Sequence, residues 1–73
     1  MAVTNGQKLY CANNLTAMVL RNLSMDYPEK TQKELFKFFS GSKTYSLLYD
    51  FQTGLWKEGP DYLISLFLKE KPR

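Results

Sequence analysis

Few side chains in this sequence are able to carry out acid–base or nucleophilic chemistry. The 73 residues include one cysteine, Cys11, and seven aspartate and glutamate residues, but no histidine. Nucleophilic triads need a histidine, and acid–base catalysis near neutral pH uses histidine or a carboxylate or lysine with a shifted pKa. Two pairs of carboxylates are close in sequence and flank a proline: Asp26 with Glu29, and Glu58 with Asp61. We expect these pairs to complement the dipole at a helix start, and we predict no catalytic residue and no enzymatic activity.

The composition also restricts metal, cofactor and membrane binding. A structural zinc site needs four cysteine or histidine ligands, and an internal disulfide needs two cysteines. The four glycines are scattered and form no phosphate-binding loop. The longest apolar run, residues 62–68, is far shorter than the ~20 residues of a bilayer span. We therefore predict no metal, no cofactor, no membrane contact and a cytoplasmic location, with Cys11 as a small buried apolar residue.

Lysines at the spacing of one helix face form the clearest charged pattern. Lys30, Lys33 and Lys37 follow one another at i, i+3 and i+7, and the chain carries a net charge of +3. Such a basic face can contact nucleic-acid phosphates, and the turn at residues 40–42 between two predicted helices has the order of a helix-turn-helix. The second of these helices offers few side chains that read base edges. Nucleic-acid binding by a helix-turn-helix protein is therefore the alternative function.

The aromatic residues favour contact with another protein, and they favour it more strongly than the lysines favour nucleic-acid binding. Eleven of the 73 residues are aromatic, and most of them lie in the second half of the chain. A domain of this size encloses few side chains fully, so some rings are expected at the surface, where aromatic residues are typical of interface centres. We predict an interface with a partner protein or with a second copy of the chain, formed by Tyr45, Tyr49, Trp56, Tyr62 and Leu68.

The first element that must position these residues is a helix over residues 4–25. Thr4 and Gln7 have the spacing of a capping box, in which each side chain accepts the backbone N–H of the other residue. Residues that can face a core then recur every three or four positions, which predicts one inward stripe. Its members are Cys11, Leu15, Met18, Asn22 and Met25, widened by Val19 and Leu23.

Prolines and glycines mark the ends of two more helices. Pro28 suits the first position of a helix that runs to residue 39, and Gly41 suits a left-handed residue at the end of that helix. Pro60 likewise predicts the start of the last helix, which carries Ile64 and Leu68 on a second apolar stripe. A dimer formed through the last helix would cover that stripe.

Residues 43–52 fit two structures. Tyr45 and Leu48 share a face at helical spacing, whereas Leu47 and Phe51 alternate with their neighbours as in a strand. In the second case Gly54 would lie in a hairpin turn within about residues 43–57. We favour the helix, because a hairpin without a third strand is only marginally stable.

Five short motifs follow one another along residues 9–68. They are Leu9–Tyr10–Cys11, Glu34–Leu35–Phe36, Tyr49–Asp50, Gln52–Thr53–Gly54 and Asp61–Tyr62–Leu63–Ile64. Their order resembles that of a family of small bacterial proteins of unknown function that is frequent in Firmicutes. The resemblance implies an all-helical fold and a link to toxin–antitoxin or mobile-element neighbourhoods. It therefore adds an antitoxin-type regulatory protein to the alternative function. This chain departs from the family by lacking the histidine often found beside the threonine of the turn, and by an insertion at residues 55–59.

The sequence thus predicts a single all-α domain over residues 1–73, a compact bundle of three to four short helices, in a bacterial cytoplasmic protein. The alternative fold is α+β, with the hairpin at about residues 43–57. The predicted function is a non-enzymatic protein–protein interaction module that self-associates or binds a partner protein.

Overall fold

Four α-helices joined by short turns make up the computed structural model, which describes residues 4–71. The helices are α1 (Asn5–Asp26), α2 (Gln32–Ser40), α3 (Lys43–Tyr49) and α4 (Pro60–Glu70). Two single-turn 3₁₀ helices, Phe51–Thr53 and Leu55–Lys57, connect α3 to α4. Residues 4–71 contain no strand, which confirms the predicted all-α bundle. None of the helices within residues 4–71 has the length and apolar character needed to cross a bilayer.

The start of α1 follows the predicted capping box. The Thr4 hydroxyl accepts the Gln7 N–H at 3.1 Å, and the Gln7 side-chain oxygen accepts the Thr4 N–H at 2.9 Å. These two bonds satisfy N–H groups that a first helical turn leaves without a backbone partner. From there α1 runs for 22 residues, about 33 Å at the helical rise, and is the longest element of the fold.

The inner face of α1 is rotated relative to the predicted stripe. Its buried members are Ala12, Leu15, Thr16, Val19 and Leu23. The two methionines and Asn22 of the predicted stripe are exposed instead, and Cys11 is half-buried. Leu15, Val19 and Leu23 are buried as predicted. The observed face adds Ala12 and Thr16, whose small side chains let neighbouring elements approach the axis of α1 closely. Those neighbours are α2, α4 and the turn Leu55–Lys57.

The start of α2 is at Gln32, four residues after the predicted start at Pro28. The Thr31 hydroxyl accepts the Glu34 N–H at 3.1 Å, and the Glu34 carboxylate accepts the Thr31 N–H at 2.8 Å. This second capping box begins the helix, because it satisfies the N–H groups of the first turn. Residues 27–30, including the proline, form a turn before it.

Several predictions near α2 need correction as a result. Glu29 and Lys30 lie in the turn and not in the helix, and Asp26 is the last residue of α1. The expectation that Asp26 and Glu29 complement a helix start is therefore wrong, whereas Asp61 does lie in the first turn of α4. Gly41 ends α2 with a φ of −84°, so the predicted left-handed cap is wrong as well.

Residues 43–57 form a helix and two 3₁₀ turns, so the alternative of a hairpin is wrong. The Ser42 hydroxyl accepts the Tyr45 N–H at 3.1 Å and begins α3. Thr44 and Leu48, one helical turn apart, are the buried residues of α3 and form its inner face. Gly54 has a φ of +77°, a left-handed conformation that favours glycine and lets the chain turn between the two 3₁₀ helices.

Pro60 begins α4 as predicted, and α4 completes the core. The Phe67 ring makes edge-to-face contacts with Phe38 and Phe39, at centroid distances of 5.0 and 5.4 Å. Such contacts add stability beyond the burial of apolar area. The buried apolar residues are Ala12, Leu15, Val19, Leu23, Leu35, Phe39, Leu48, Leu55, Leu63 and Phe67.

Candidate interaction surface

The side of α1 that faces away from the core is exposed along most of its length. We define the outer face of α1 as six exposed residues on this side: Tyr10, Asn14, Ala17, Met18, Arg21 and Met25. Steps of mostly three and four residues keep them on one stripe, because a helix has 3.6 residues per turn. The stripe lies about half a turn around α1 from the buried Val19 and Leu23.

Three large side chains give the outer face its apolar character. Tyr10 is 69% exposed, Met18 is 45% exposed and Met25 is 77% exposed. Complete burial of one large apolar side chain contributes about 1.5–3 kcal/mol. The fold leaves this stabilisation unused at three positions of the same stripe, and a bound protein surface would recover part of it.

Charged side chains are scarce along the same helix. No charged residue occurs at positions 9–20, and Arg21 is the one charged member of the outer face. A helix face that meets only water normally carries many charged residues. Interface centres, in contrast, are depleted of charge and enriched in tyrosine, methionine and arginine. The outer face has the composition of an interface centre and not that of a solvent-exposed helix face.

A cleft adjoins the N-terminal end of the outer face. It has a volume of about 570 Å³ and is lined by Thr4, Gly6, Gln7, Tyr10, Cys11 and Trp56. The Trp56 indole N–H donates to the Phe51 carbonyl at 3.2 Å, which orients the ring. The Lys8 ammonium lies 5.6 Å from the centroid of that ring, within the range of a cation–π contact. The cleft therefore continues the outer face from Tyr10 to Trp56.

Tyr45 and Tyr49 of the predicted interface lie together on α3 and are half-buried. Their ring centroids are 4.7 Å apart. The Tyr49 hydroxyl donates to the Asn13 side-chain oxygen at 2.6 Å and lies 3.1 Å from the Thr16 hydroxyl. The Tyr45 ring packs edge-to-face on Phe39, and burial, together with the neighbouring Tyr49, raises the pKa of Tyr45. Both tyrosines therefore help to hold α3 against the other helices.

The remaining residues of the predicted interface belong to other elements. Trp56 lines the cleft, Tyr62 is exposed on α4, and Leu68 is half-buried on α4 against the core. The structure thus brings Tyr45 and Tyr49 into contact and distributes the other three over the connecting turn and the last helix. A shared binding role for the five residues stays a prediction.

The predicted basic face is exposed but does not lie on a single helix. Lys33 and Lys37 are on α2, and Lys30 lies in the turn that precedes it. Phe36 on α2 is exposed as well. The three lysines remain available to anionic groups in solution.

The N-terminus of α3 is occupied by the Glu70 carboxylate. Glu70 accepts the Lys43 N–H at 2.6 Å, and it accepts both the N–H and the hydroxyl of Thr44 at 2.9 Å. Partial burial raises the pKa of the Glu70 carboxyl. The hydrogen bonds, together with the charge of Lys71, outweigh this effect and hold the pKa below its ordinary value. The carboxylate therefore stays ionised at neutral pH and complements the positive end of α3.

The outer face of α1 is a candidate interaction surface that the sequence pattern does not predict. Met18 and Met25 are expected in the core from their spacing alone, and Tyr10 belongs to no predicted stripe. Two signals in the sequence point to the observed arrangement: the uncharged run at residues 9–20, and the helical spacing of Ala12 and Thr16 with Val19 and Leu23.

No protein-family model, curated protein or solved structure matches this chain. The resemblance to the bacterial family therefore stays a prediction. In the part of the chain that the structure describes, no three cysteine, aspartate or glutamate side chains form a group that could hold a metal ion.

Proposed function

We propose that this protein is a non-enzymatic protein–protein interaction module of the cytoplasm, and that it binds through the outer face of α1. The observation that carries the proposal is the exposure of Tyr10, Met18 and Met25 along a stripe with a single charged residue. Tyrosine and arginine are frequent among the residues that dominate binding energy, and methionine adapts its shape to a partner surface.

Two of the carboxylates, Glu34 and Glu70, cap helices, and their pKa values do not suit acid–base catalysis near neutral pH. Hydrogen bonds from Thr31, first from its backbone N–H and then from its hydroxyl, lower the pKa of Glu34. Hydrogen bonds from the backbone N–H groups of Lys43 and Thr44 and from the Thr44 hydroxyl lower the pKa of Glu70 in the same way. A carboxylate that acts as a general acid or base near neutral pH needs a raised pKa. Both glutamates instead have a structural role as helix caps.

The alternative of a helix-turn-helix protein has less support. Residues at the N-terminus of a recognition helix contact the base edges of DNA. In α3 these residues are Lys43 and Thr44, and their N–H groups are bonded to the Glu70 carboxylate. A negative charge at this point opposes the approach of nucleic-acid phosphates.

Site-specific photo-cross-linking in cells tests the proposed function. The photoreactive residue p-benzoylphenylalanine is placed at position 18 on the outer face and, as the control, at exposed position 33 on α2. We expect adducts with another protein chain, or with a second copy, from position 18 and few from position 33. Equal yields from the two positions, or no adduct from position 18, would contradict the proposal.

The same experiment compares the two protein surfaces and the nucleic-acid alternative. The photoreactive residue at position 62 probes Tyr62, the exposed member of the interface predicted from sequence. Protein adducts from position 62 in place of position 18 would move the binding surface from α1 to α4. Adducts with nucleic acid from position 33 would support the alternative function.

A further inference from the structure

We propose that the partner of the outer face is the outer face of a second copy, with the two α1 helices antiparallel and a two-fold axis between Ala17 and Met18. This inference rests on the proposed function, since it takes the outer face as the binding surface. It adds the identity of the partner, the direction of the partner helix and the register of the contact.

The outer face is symmetric along the sequence about this midpoint. Its six residues form three pairs whose members lie equally far before and after the midpoint: Tyr10 with Met25, Asn14 with Arg21, and Ala17 with Met18. In a two-fold contact each residue on one copy meets its pair on the other copy, and the same contact occurs twice. A stripe that maps onto itself in this way suits an antiparallel homodimer.

Each of the three pairs is chemically complementary. A methionine sulfur next to an aromatic ring is a favourable contact, which matches Met25 with Tyr10. The Arg21 guanidinium has N–H donors, and the side-chain oxygen of Asn14 is an acceptor. Ala17 is small and leaves room for the longer Met18 side chain of the opposite helix, as close packing of two helices requires.

Charge distinguishes the two directions in which the helices can pair. In a parallel pair Arg21 lies against Arg21 of the second copy, and no acidic residue of the outer face compensates for the repulsion. In the antiparallel pair the two arginines are about 10 Å apart along the axis, close to the Debye length in physiological salt. The opposed helix dipoles also favour the antiparallel direction.

The shape of the molecule leaves the outer face accessible to a second helix. The molecule measures 43 × 20 × 18 Å, so α1, at about 33 Å, lies along the longest dimension. The core and the other helices pack against the opposite side of α1. Two copies can therefore place their α1 helices side by side, with the rest of each molecule on the outside.

Sedimentation velocity of the purified protein tests whether the chain pairs with itself. We expect wild type to form dimers that increase with concentration, and Met18→Lys to weaken the dimer at least tenfold because it places two ammonium groups next to the two-fold axis. Lys33→Glu on α2 is the charge-changing control and should leave the dimer unchanged. Met25→Lys provides a second variant, and circular dichroism shows that each variant is folded.

Cysteine cross-linking with a short bismaleimide tests the direction and register of the helices. All variants carry Cys11→Ser, which removes the one native thiol. Ala17→Cys should cross-link to itself, and a mixture of Tyr10→Cys with Met25→Cys should form the mixed product. Neither variant of the mixture should cross-link to itself, because the two copies of position 10, or of position 25, are about 22 Å apart along the axis.

The outcomes separate this inference from the proposed function. Self-cross-linking of Tyr10→Cys and of Met25→Cys without the mixed product would show a parallel pair and overturn the inference. A wild type that stays monomeric up to millimolar concentration also overturns it. If position 18 still gives photo-adducts with a different protein in cells, the proposed function stands while self-pairing does not. A wild-type dimer that Met18→Lys and Met25→Lys leave unchanged forms through another surface and overturns the inference, while the photo-cross-linking at position 18 still decides the proposed function.

Discussion

At the scale of single residues, Glu70 joins two elements that are far apart in the chain. It is the last residue of α4, yet its carboxylate caps the start of α3, 27 residues earlier. Glu70 accepts the N–H groups of Lys43 and Thr44, and the Ser42 hydroxyl accepts that of Tyr45. The N–H groups at the start of this seven-residue helix therefore have acceptors, which so short a helix needs in order to form.

Replacement of Glu70 by alanine is expected to lower the free energy of unfolding at pH 7 by about 1 kcal/mol or less, the usual range for a solvent-exposed helix cap. The pKa of Glu70 in the folded state is below its ordinary value of 4.5. Its ionised form therefore stabilises the fold fully above about pH 4.5, and this contribution is lost as the pH falls through the lower folded pKa.

Urea unfolding at pH 7 and at pH 3 measures this difference. The stability of Glu70→Ala relative to wild type should recover at pH 3, where both states of the wild-type carboxyl gain protons. Glu29→Ala, which removes an exposed carboxylate in the turn before α2, is the matched control and should change stability little at either pH. A deficit of Glu70→Ala that is the same at both pH values would contradict the role of the ionised carboxylate.

At the scale of the helices, the side-chain cap at Thr31 decides where α2 begins. Thr31→Ala is expected to lower the free energy of unfolding by about 1 kcal/mol, because the Glu34 N–H loses the hydroxyl that accepts it. Pro28→Ala, in the preceding turn, should change stability by less than about 0.5 kcal/mol. Urea unfolding measures both values, and a larger loss for the proline variant would place the start of the helix at Pro28.

The helix starts also show which parts of the fold a sequence can predict. The Thr4 and Pro60 starts are correct because their signals act within one helical turn. Near α2 both Pro28 and Thr31 are suitable helix-start residues. The sequence alone does not show that Pro28 lies in a turn and that Thr31 caps the helix. The Glu70 cap was not predictable, since it depends on how α4 packs against α3.

On α1 the helical spacing is correct and Leu15, Val19 and Leu23 are buried as predicted, but Met18 and Met25 are exposed. The spacing of Met18 and Met25 is helical, but spacing does not decide which of two stripes the rest of the fold covers. Tyr45 was expected at the surface, and in the structure it packs edge-to-face on Phe39 at a centroid distance of 5.6 Å. A small core uses such rings for its own packing, because it has few other large side chains to fill the space between helices.

At the scale of the whole molecule, the lengths of the helices explain why the uncovered apolar surface is on α1. α1 has 22 residues, whereas α2, α3 and α4 have 9, 7 and 11. The three shorter helices cover one side of the long helix and bury its inner face, and no fourth element remains for the outer face within residues 4–71. A second copy of α1 is a surface of matching length.

Self-pairing should therefore contribute to the stability of the fold, and the melting temperature reports it. A domain of this size has a small margin of stability, so the free energy of association is a large fraction of the total. Because about 1 kcal/mol shifts the Tm of such a domain by roughly 4–8 °C, a hundredfold rise in protein concentration should raise the wild-type Tm by about 5 °C once dimers predominate. The Tm of Met18→Lys should rise less than that of wild type over the same range, because its dimer forms only at higher concentration, whereas Lys33→Glu should follow wild type. A wild-type Tm that is constant over this range would show that each chain folds without help from a second copy, and that the outer face contributes nothing to folding.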